Sequence, residues 1–150
     1  MTNTKQPEDL SAEELMSLQS GIAAFETKQF VRAYQLLHPL AEVGLAEAQY
    51  RLAVMSQNGL GMVVNQTEAE HWMRAAAEQD FAFAQHGLGF MYMQGECVTQ
   101  DDTQAVYWFQ KAAEQGLAGA QTTLALLYEE GRGVEKDVEK AKYWYQQAGF

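Results

Sequence analysis

The sequence has 150 residues, of which 20 are Asp or Glu and 10 are Lys or Arg, so its formal net charge at pH 7 is −10. This acidity argues against general nucleic-acid binding, which requires clustered basic side chains, and against docking on an anionic membrane surface. Hydrophobic residues make up 47% of the chain, which is enough for a packed core. The single cysteine, Cys97, excludes an intramolecular disulfide and a zinc site built from cysteines.

The N-terminal residues show no targeting signal. Residues 1–9 are polar and lack the apolar stretch and cleavage site of a secretory signal, and no run of 18 apolar residues predicts a transmembrane helix. Together with the lone cysteine, these features predict a cytoplasmic protein. Residues 1–10 precede the first helical pattern, and we expect them to be frayed.

A repeat of 36 residues organises most of the chain, with copies that start at Gly44, Asp80 and Gly116 without a gap. Several residue types keep their register in all three copies. They include Gln49, Gln85 and Gln121; Gly59, Gly95 and Gly131; and Trp72, Trp108 and Trp144. A partial copy precedes Gly44. The repeat therefore predicts four units, over residues 11–43, 44–79, 80–115 and 116–150.

Each unit has the pattern of two helices joined by a short loop. The first unit has a diverged first helix at roughly 11–27, and an apolar stripe over 33–41 marks its second helix. In the later units the first helices are predicted at about 46–58, 82–94 and 118–130. Each of these ends at a glycine and is followed by a loop of roughly seven residues. The second helices place apolar residues at i, i+3, i+4 and i+7, the spacing of one buried helical face.

The ends of the second helices have recognisable capping residues. The predicted N-caps are Asn65, Asp101 and Asp137. Glu68 and Gln104 follow at the third position and predict capping boxes. Gly44 and Gly116 suit the left-handed turn after such a helix, and Asp80 is expected to adopt the same conformation with modest strain.

The pattern of residues 116–150 is A-G-A-Q-T-T-L-A-L-L-Y-E-E-G-R-G-V-E-K-D, followed by A-K-Y-W-Y-Q-Q-A. It resembles the Sel1-like repeat family, relatives of the tetratricopeptide repeats. The resemblance covers 44–150, while 11–43 is more similar to a tetratricopeptide unit. One departure is Cys97, which replaces the second loop glycine. The resemblance implies an all-α, right-handed α/α superhelical solenoid of about four helix pairs. It also implies a protein-binding adaptor or scaffold, not an enzyme, without cofactor or metal.

On the family's geometry, a concave face carries the second, fifth, ninth and twelfth positions of each first helix. The middle first helix is apolar nearly all round, which leaves Phe83, Phe90 and Met93 outside its framework positions. We expect a groove for a partner at these positions. Its candidate residues are Tyr50, Val54, Gln57, Phe83, His86, Phe90, Met93, Thr122, Leu126 and Glu129. The alternative is that Phe90 and its counterparts only pack between neighbouring repeats.

The C-terminal end offers a second candidate surface. The sequence stops at Phe150, inside the last predicted helix, and no capping element follows. Tyr143, Trp144, Tyr145 and Phe150 are therefore expected to stay partly exposed. A homodimer or a larger homo-oligomer through this helix is an alternative function. A final helix that frays or folds back over the end is the alternative structural outcome.

Motifs for catalysis are lacking. The sequence contains no phosphate-binding loop, dinucleotide fingerprint or nucleophile elbow. Glu68-x-x-His71 has the spacing used in di-iron bundles, but a second such motif is missing. His71 shares its repeat position with Tyr107 and Tyr143, which favours a packing role. Some cysteine-rich relatives are linked to β-lactam hydrolysis, and their paired cysteines are missing here, which leaves a hydrolase as a remote alternative.

The negative charge is concentrated in one part of the chain. Residues 1–130 contain 17 acidic and 6 basic residues, while residues 131–150 contain 3 acidic and 4 basic residues. The expected groove lies within the acidic part. We therefore expect a protein or peptide partner with an apolar anchor and basic flanks, whose association rate falls with added salt.

Overall fold

The computed structural model describes residues 4–150, which form two compact units divided between Gln79 and Asp80. All regular structure in these residues is helical. The first unit contains a short 3-10 helix, Pro7–Asp9, and then α1 (Ala12–Glu26), α2 (Phe30–Glu42), α3 (Ala46–Asn58) and α4 (Gln66–Ala77). The second unit contains α5 (Ala82–Gln94), α6 (Asp102–Glu114), α7 (Ala118–Glu130) and α8 (Val138–Gln147). The predicted bounds of α3, α5 and α7 are confirmed to the residue.

The core of the first unit lies where α2 packs against both α1 and α3. Leu37 of α2 and Leu52 of α3 are almost completely buried there. Gly21 allows α1 to approach α2 closely, because a Cβ atom at Gly21 would lie 2.6 Å from Cδ2 of Leu37. The α3–α4 pair continues the same packing and buries Met73.

The core of the second unit is built around Phe109 of α6, which is fully buried together with Leu124 and Leu127 of α7. Burying one such aromatic side chain contributes about 2–3 kcal/mol. Gly89 of α5 makes room for the ring, because a Cβ atom at this position would lie 3.0 Å from Cδ1 of Phe109. The predicted role of small residues in close helix approach is confirmed here.

The second helices begin at the predicted caps. The side chains of Asn65, Asp101 and Asp137 accept hydrogen bonds from backbone N–H groups of the first helical turn. The predicted capping boxes are wrong, because Glu68 and Gln104 do not accept from the backbone of the cap residue. That N–H group is already used elsewhere: Asn65 donates to the carbonyl of Ser56, and Asp101 donates to that of Tyr92, each at 2.9 Å. The cap residues thus tie each second helix to the helix before it.

Left-handed residues end the helices as expected. Gly44 and Gly116 have φ angles of +95° and +91°, and Asp80 adopts +63° in the equivalent place. Cys97 has φ +66°, and the glycine at its position in the last repeat, Gly133, has +73°. Cys97 therefore adopts the left-handed backbone conformation that a glycine adopts at the same position of the last repeat.

The N-terminal segment differs from the expectation of fraying. Residues 4–10, which we call the N-terminal strap, include the 3-10 helix and lie against the first unit. The backbone N–H of Lys5 donates to the carbonyl of Val43 at 2.8 Å. The Lys5 ammonium pairs with the carboxylate of Glu14, with an Nζ–Oε1 distance of 2.8 Å. Residues 1–3 of the predicted frayed segment lie outside the described residues.

The last helix is better packed than the sequence suggests. Trp144 is buried, and the hydroxyl of Tyr145 donates to Oε2 of Glu129 at 2.9 Å. Tyr143 and Phe150 remain exposed, by 50% and 81%. Helix α8 ends at Gln147, so Phe150 lies beyond the helix and not inside it.

Candidate partner-binding surface

The exposed apolar residues of the second unit include one from each of its two first helices. Phe83 on α5 is 53% exposed and Leu126 on α7 is 42% exposed. Their helix neighbours Leu88 and Leu124 are fully buried. Phe83 and Leu126 therefore belong to the solvent-facing sides of helices whose other sides form the core.

Phe90 has a different environment from Phe83. Its ring meets the ring of Phe109 edge-on, with 5.1 Å between centroids, and that of His86 in the same way at 4.8 Å. Phe90 and Met93 are half-buried and pack against the core of the second unit. Aromatic contacts of this kind stabilise a fold beyond simple area burial. Phe90 therefore contributes to core packing although part of its side chain is exposed.

His86 lies between these aromatic rings and α7. Its ring centroid is 5.7 Å from that of Phe109, and its Nε2 lies 3.5 Å from the place that a Cβ atom at Gly119 would take. Nε2 is buried and has no hydrogen-bond partner within residues 4–150. Burial lowers the pKa of His86 because it penalises the charged imidazolium. The side chain thus acts as a neutral ring at pH 7.

Two polar candidates complete the set on α7. Thr122 is half-buried and its hydroxyl donates to the carbonyl of Ala118 at 3.0 Å, one helical turn back. Glu129 is exposed and accepts from Tyr145. This hydrogen bond to Glu129 raises the pKa of the Tyr145 phenol. Glu129 therefore places a negative charge at the end of α7.

The three remaining candidates, Tyr50, Val54 and Gln57, lie on α3 in the first unit and are half-buried. Burial raises the pKa of Tyr50, and the nearby Arg51 partly opposes this shift. The second unit thus carries Phe83, His86, Phe90, Met93, Thr122, Leu126 and Glu129, and the first unit carries these three.

The sequence interpretation missed a contact site in the first unit. The N-terminal strap touches Val43 and Gly44, the turn between α2 and α3. The sequence indicates only a helix terminus at Gly44, and that role alone explains a glycine there. No local pattern in residues 4–10 indicates where they dock.

Residues 4–150 contain neither a helix that could span a bilayer nor a side-chain cluster that could hold a metal ion. None of the helices in this range is both long and apolar enough to span a bilayer. No group of three or more His, Cys, Asp or Glu side chains in the described part of the chain could hold a metal ion.

Comparison with protein families matches the Sel1 repeat to residues 46–81, 82–117 and 118–149. A search among curated proteins gave no match. A Sel1 repeat protein from Oxalobacter formigenes is 34% identical, with a TM-score of 0.84 over 87% of this chain and 54% of that one. The uropathogenic Escherichia coli protein c5321, a protective antigen with an SLR fold, is 33% identical, with a TM-score of 0.85 over 90% of this chain and 30% of that one.

The chain therefore spans about half the length of the first of these relatives and about a third of the second. The cysteine-rich protein B of Helicobacter pylori shares the fold at 16% identity, with a TM-score of 0.58 over 91% of this chain and 86% of that one. These similarities and the eight helices of residues 4–150 confirm the predicted all-α repeat architecture. The chain belongs to the Sel1 repeat family, whose proteins are generally non-enzymatic scaffolds for protein interactions.

Proposed function

We propose that this protein is an interaction scaffold that binds a partner protein or peptide through the first-helix surface of its second unit. The observation that carries the proposal is the exposure of Phe83 and Leu126, by 53% and 42%, on two first helices. Large apolar side chains of this kind anchor protein interfaces when a partner removes them from water. Tyr50, Val54 and Gln57 of α3 hold the repeat positions of His86, Phe90 and Met93, and we propose them as candidate contact residues of the first unit taken by itself.

The candidates of the second unit divide into anchors and floor. Phe83 and Leu126 are the anchors, because they are exposed and because neither belongs to the core. His86, Phe90 and Met93 form the floor, since they are half-buried and pack inward. The rings of His86 and Phe90 are held against each other and against Phe109, so they lose little conformational entropy when a partner binds.

The proposed partner presents an apolar side chain with basic residues on either side. Support comes from the exposed carboxylate of Glu129, which follows Leu126 by three residues on α7, and from the net charge of −10. Acidic surfaces accelerate the encounter with basic ligands, and this acceleration is screened by salt. The single cysteine supports a reducing compartment such as the cytoplasm.

The test uses a partner identified by affinity capture and then purified. The double variant Phe83→Ser, Leu126→Ser is expected to remain folded and to lose binding by about 30- to 1,000-fold, since each anchor contributes about 1–2 kcal/mol. The matched control is Tyr107→Ser, Val31→Ser, which removes side chains of similar exposure from second helices. Equal losses in both variants would contradict the proposed surface.

A homo-oligomer through the C-terminal helix is the second candidate function. The observation that favours it is the exposure of Tyr143 and Phe150. Light scattering at increasing protein concentration is expected to show a dimer, which Tyr143→Ser, Phe150→Ser should dissociate. A mass that stays monomeric at all concentrations would eliminate this candidate.

A further inference from the structure

The N-terminal strap binds the first unit in the manner of a short extended peptide. Its polar contacts include the N–H of Lys5, which donates to the Val43 carbonyl, and the Lys5 ammonium, which pairs with Glu14. The two Nζ–Oε distances are 2.8 and 3.0 Å. Nε2 of Gln6 also donates to Oε1 of Gln79 at 3.5 Å, and Leu10 packs against the core of the first unit. None of these contacts lies on the proposed partner surface of the second unit.

Gly44 allows the strap to lie directly on the backbone of the turn. A Cβ atom at Gly44 would lie 2.7 Å from Cγ2 and 3.0 Å from Cα of Thr4. Gly116 ends the equivalent helix of the second unit with nearly the same φ angle, and a Cβ atom there would have no neighbour within 4 Å. The left-handed turn is therefore common to both positions, whereas the close approach of an extended chain occurs at Gly44.

A crevice of about 580 Å³ continues from this contact. Thr4 lies at its edge, and its wall includes the rings of His71 and Trp72 and the carboxylates of Glu42 and Glu78. Aromatic faces beside carboxylates favour a basic side chain. The crevice thus has room and suitable chemistry for a residue next to the one that covers Gly44.

We propose that the turn between α2 and α3 is a docking site for an extended segment of a partner protein, and that the N-terminal strap occupies it as an intramolecular competitor. The preferred segment has a small residue over Gly44, followed by a lysine that pairs with Glu14. A basic residue of the same segment enters the crevice beside Trp72.

The strap's own contacts indicate that it can be displaced. Lys5 and Glu14 are 37% and 26% exposed in their side chains, and such partly exposed ion pairs contribute little. The tether also helps to hold the strap, because a short tether gives an effective concentration on the order of millimolar. A partner segment with one additional anchor in the crevice is expected to compete with it.

The experiment uses the 150-residue chain with the substitution Lys5→Pro. This substitution removes both the N–H donor and the ammonium of Lys5, so the strap is expected to leave the site. The probe is a labelled synthetic peptide of residues 1–9, and fluorescence anisotropy measures its binding. We expect the variant to bind the peptide at least about 10-fold more tightly than the wild type, in which the tethered strap competes. The same peptide with Lys5→Pro should not bind.

The matched pair Gly44→Ala and Gly116→Ala, each combined with Lys5→Pro, tests the location of the site. Both substitutions strain a left-handed turn, but only Gly44→Ala blocks the contact, so only this variant is expected to lose the peptide. If the Gly44→Ala variant does not fold, Glu14→Gln combined with Lys5→Pro tests whether the peptide binds at this site. Glutamine keeps the capping box with Ser11 and removes the charge, and about 3-fold weaker binding is expected.

Three results would overturn the proposal. The first is a folded Lys5→Pro variant that binds the peptide no better than the wild type. The second is equal behaviour of the Gly44 and Gly116 variants, or, in the fallback test, unchanged binding to Glu14→Gln. The third is a wild-type dimer in light scattering that dissociates in Lys5→Pro, because the strap would then bind a second copy and not its own chain.

Discussion

Gln115 donates its side-chain Nε2–H to Oε1 of Gln85, with 2.8 Å between the two atoms. The same nitrogen lies 2.8 Å from the carbonyl oxygen of Asp80. In the first unit, Gln79 makes the corresponding bond to Gln49 at 2.9 Å. A glutamine after each of these second helices thus satisfies a buried glutamine on the first helix of the same repeat.

The buried glutamines also bind the preceding helix within each unit. Nε2 of Gln49 donates to the carbonyl of Ala41, and Nε2 of Gln121 donates to that of Ala113. A buried amide is costly unless its donor and acceptor groups are both paired. The recurrent glutamine is therefore a structural residue that joins consecutive helix pairs, which explains its register in the sequence.

Substitution of Gln115 by alanine is expected to destabilise the protein. The change leaves Oε1 of the fully buried Gln85 without its donor, at a cost of about 1–2 kcal/mol. Urea denaturation followed by circular dichroism measures the loss. Gln104→Ala, at an exposed position of α6, is the control and should change stability by less than about 0.5 kcal/mol. Equal effects would show that the bond contributes nothing.

Gly133→Ala should be strongly destabilising. The new Cβ atom would collide with the backbone carbonyl of Asp102, which cannot rotate away as a side chain could. Gly116→Ala has a similar positive φ angle but open space around it, so it reports the conformational strain alone, about 1 kcal/mol. We expect Gly133→Ala to exceed this control by about 2 kcal/mol in thermal or urea unfolding.

Phe90 and Phe83 are expected to separate into a core residue and a surface residue. Phe90→Ala removes ring contacts with Phe109 and His86 and should cost about 2 kcal/mol or more. Phe83→Ala should cost less, about 1 kcal/mol or below, because that side chain is half exposed and its ring lies 6.0 Å from that of Phe81. Similar losses in both variants would mean that Phe83 is also part of the core.

His86 should make stability depend on pH below neutrality. Its pKa is lowered in the folded protein, so the unfolded chain takes up a proton first as the pH falls. The neutral buried ring makes its full contribution to the free energy of unfolding above the ordinary histidine pKa of about 6.5. This contribution is lost as the pH falls from there through the lowered pKa that His86 has in the folded protein. The stability of His86→Leu relative to wild type should therefore be higher at pH 5 than at pH 7.5.

Chemical denaturation at both pH values measures this gain. His71→Leu, which removes an exposed histidine, is the matched control. A His86→Leu variant whose stability relative to wild type is the same at both pH values would show that the imidazole titrates without any penalty from burial.

The placement of the helices follows from short-range features of the sequence. Asp101 caps α6 through N–H groups two and three residues away, and Gly95 ends α5 with a φ angle of +69°. These features act within one helical turn, so a single sequence contains all the information that they need. The 36-residue register then extends the assignment from one repeat to the others.

The properties of individual positions depended on contacts between residues distant in the chain. Phe83 and Phe90 are both aromatic and both on α5. Phe83 is half exposed and its ring lies 6.0 Å from that of Phe81, whereas Phe90 meets Phe109, which lies one helix further on. The Gln85–Gln115 bond joins residues 30 positions apart, and Lys5 reaches Val43 across two helices.

The family, the helix bounds and the glycine turns can be read from the sequence alone, because they depend on neighbouring residues and on a repeated pattern. The folded structure was needed to show that Phe83 and Leu126 are exposed, that Phe90 and His86 pack inward, and that Thr4 lies on Gly44. Exposure is set by the atoms that surround a side chain, and those atoms come from helices far away in the sequence.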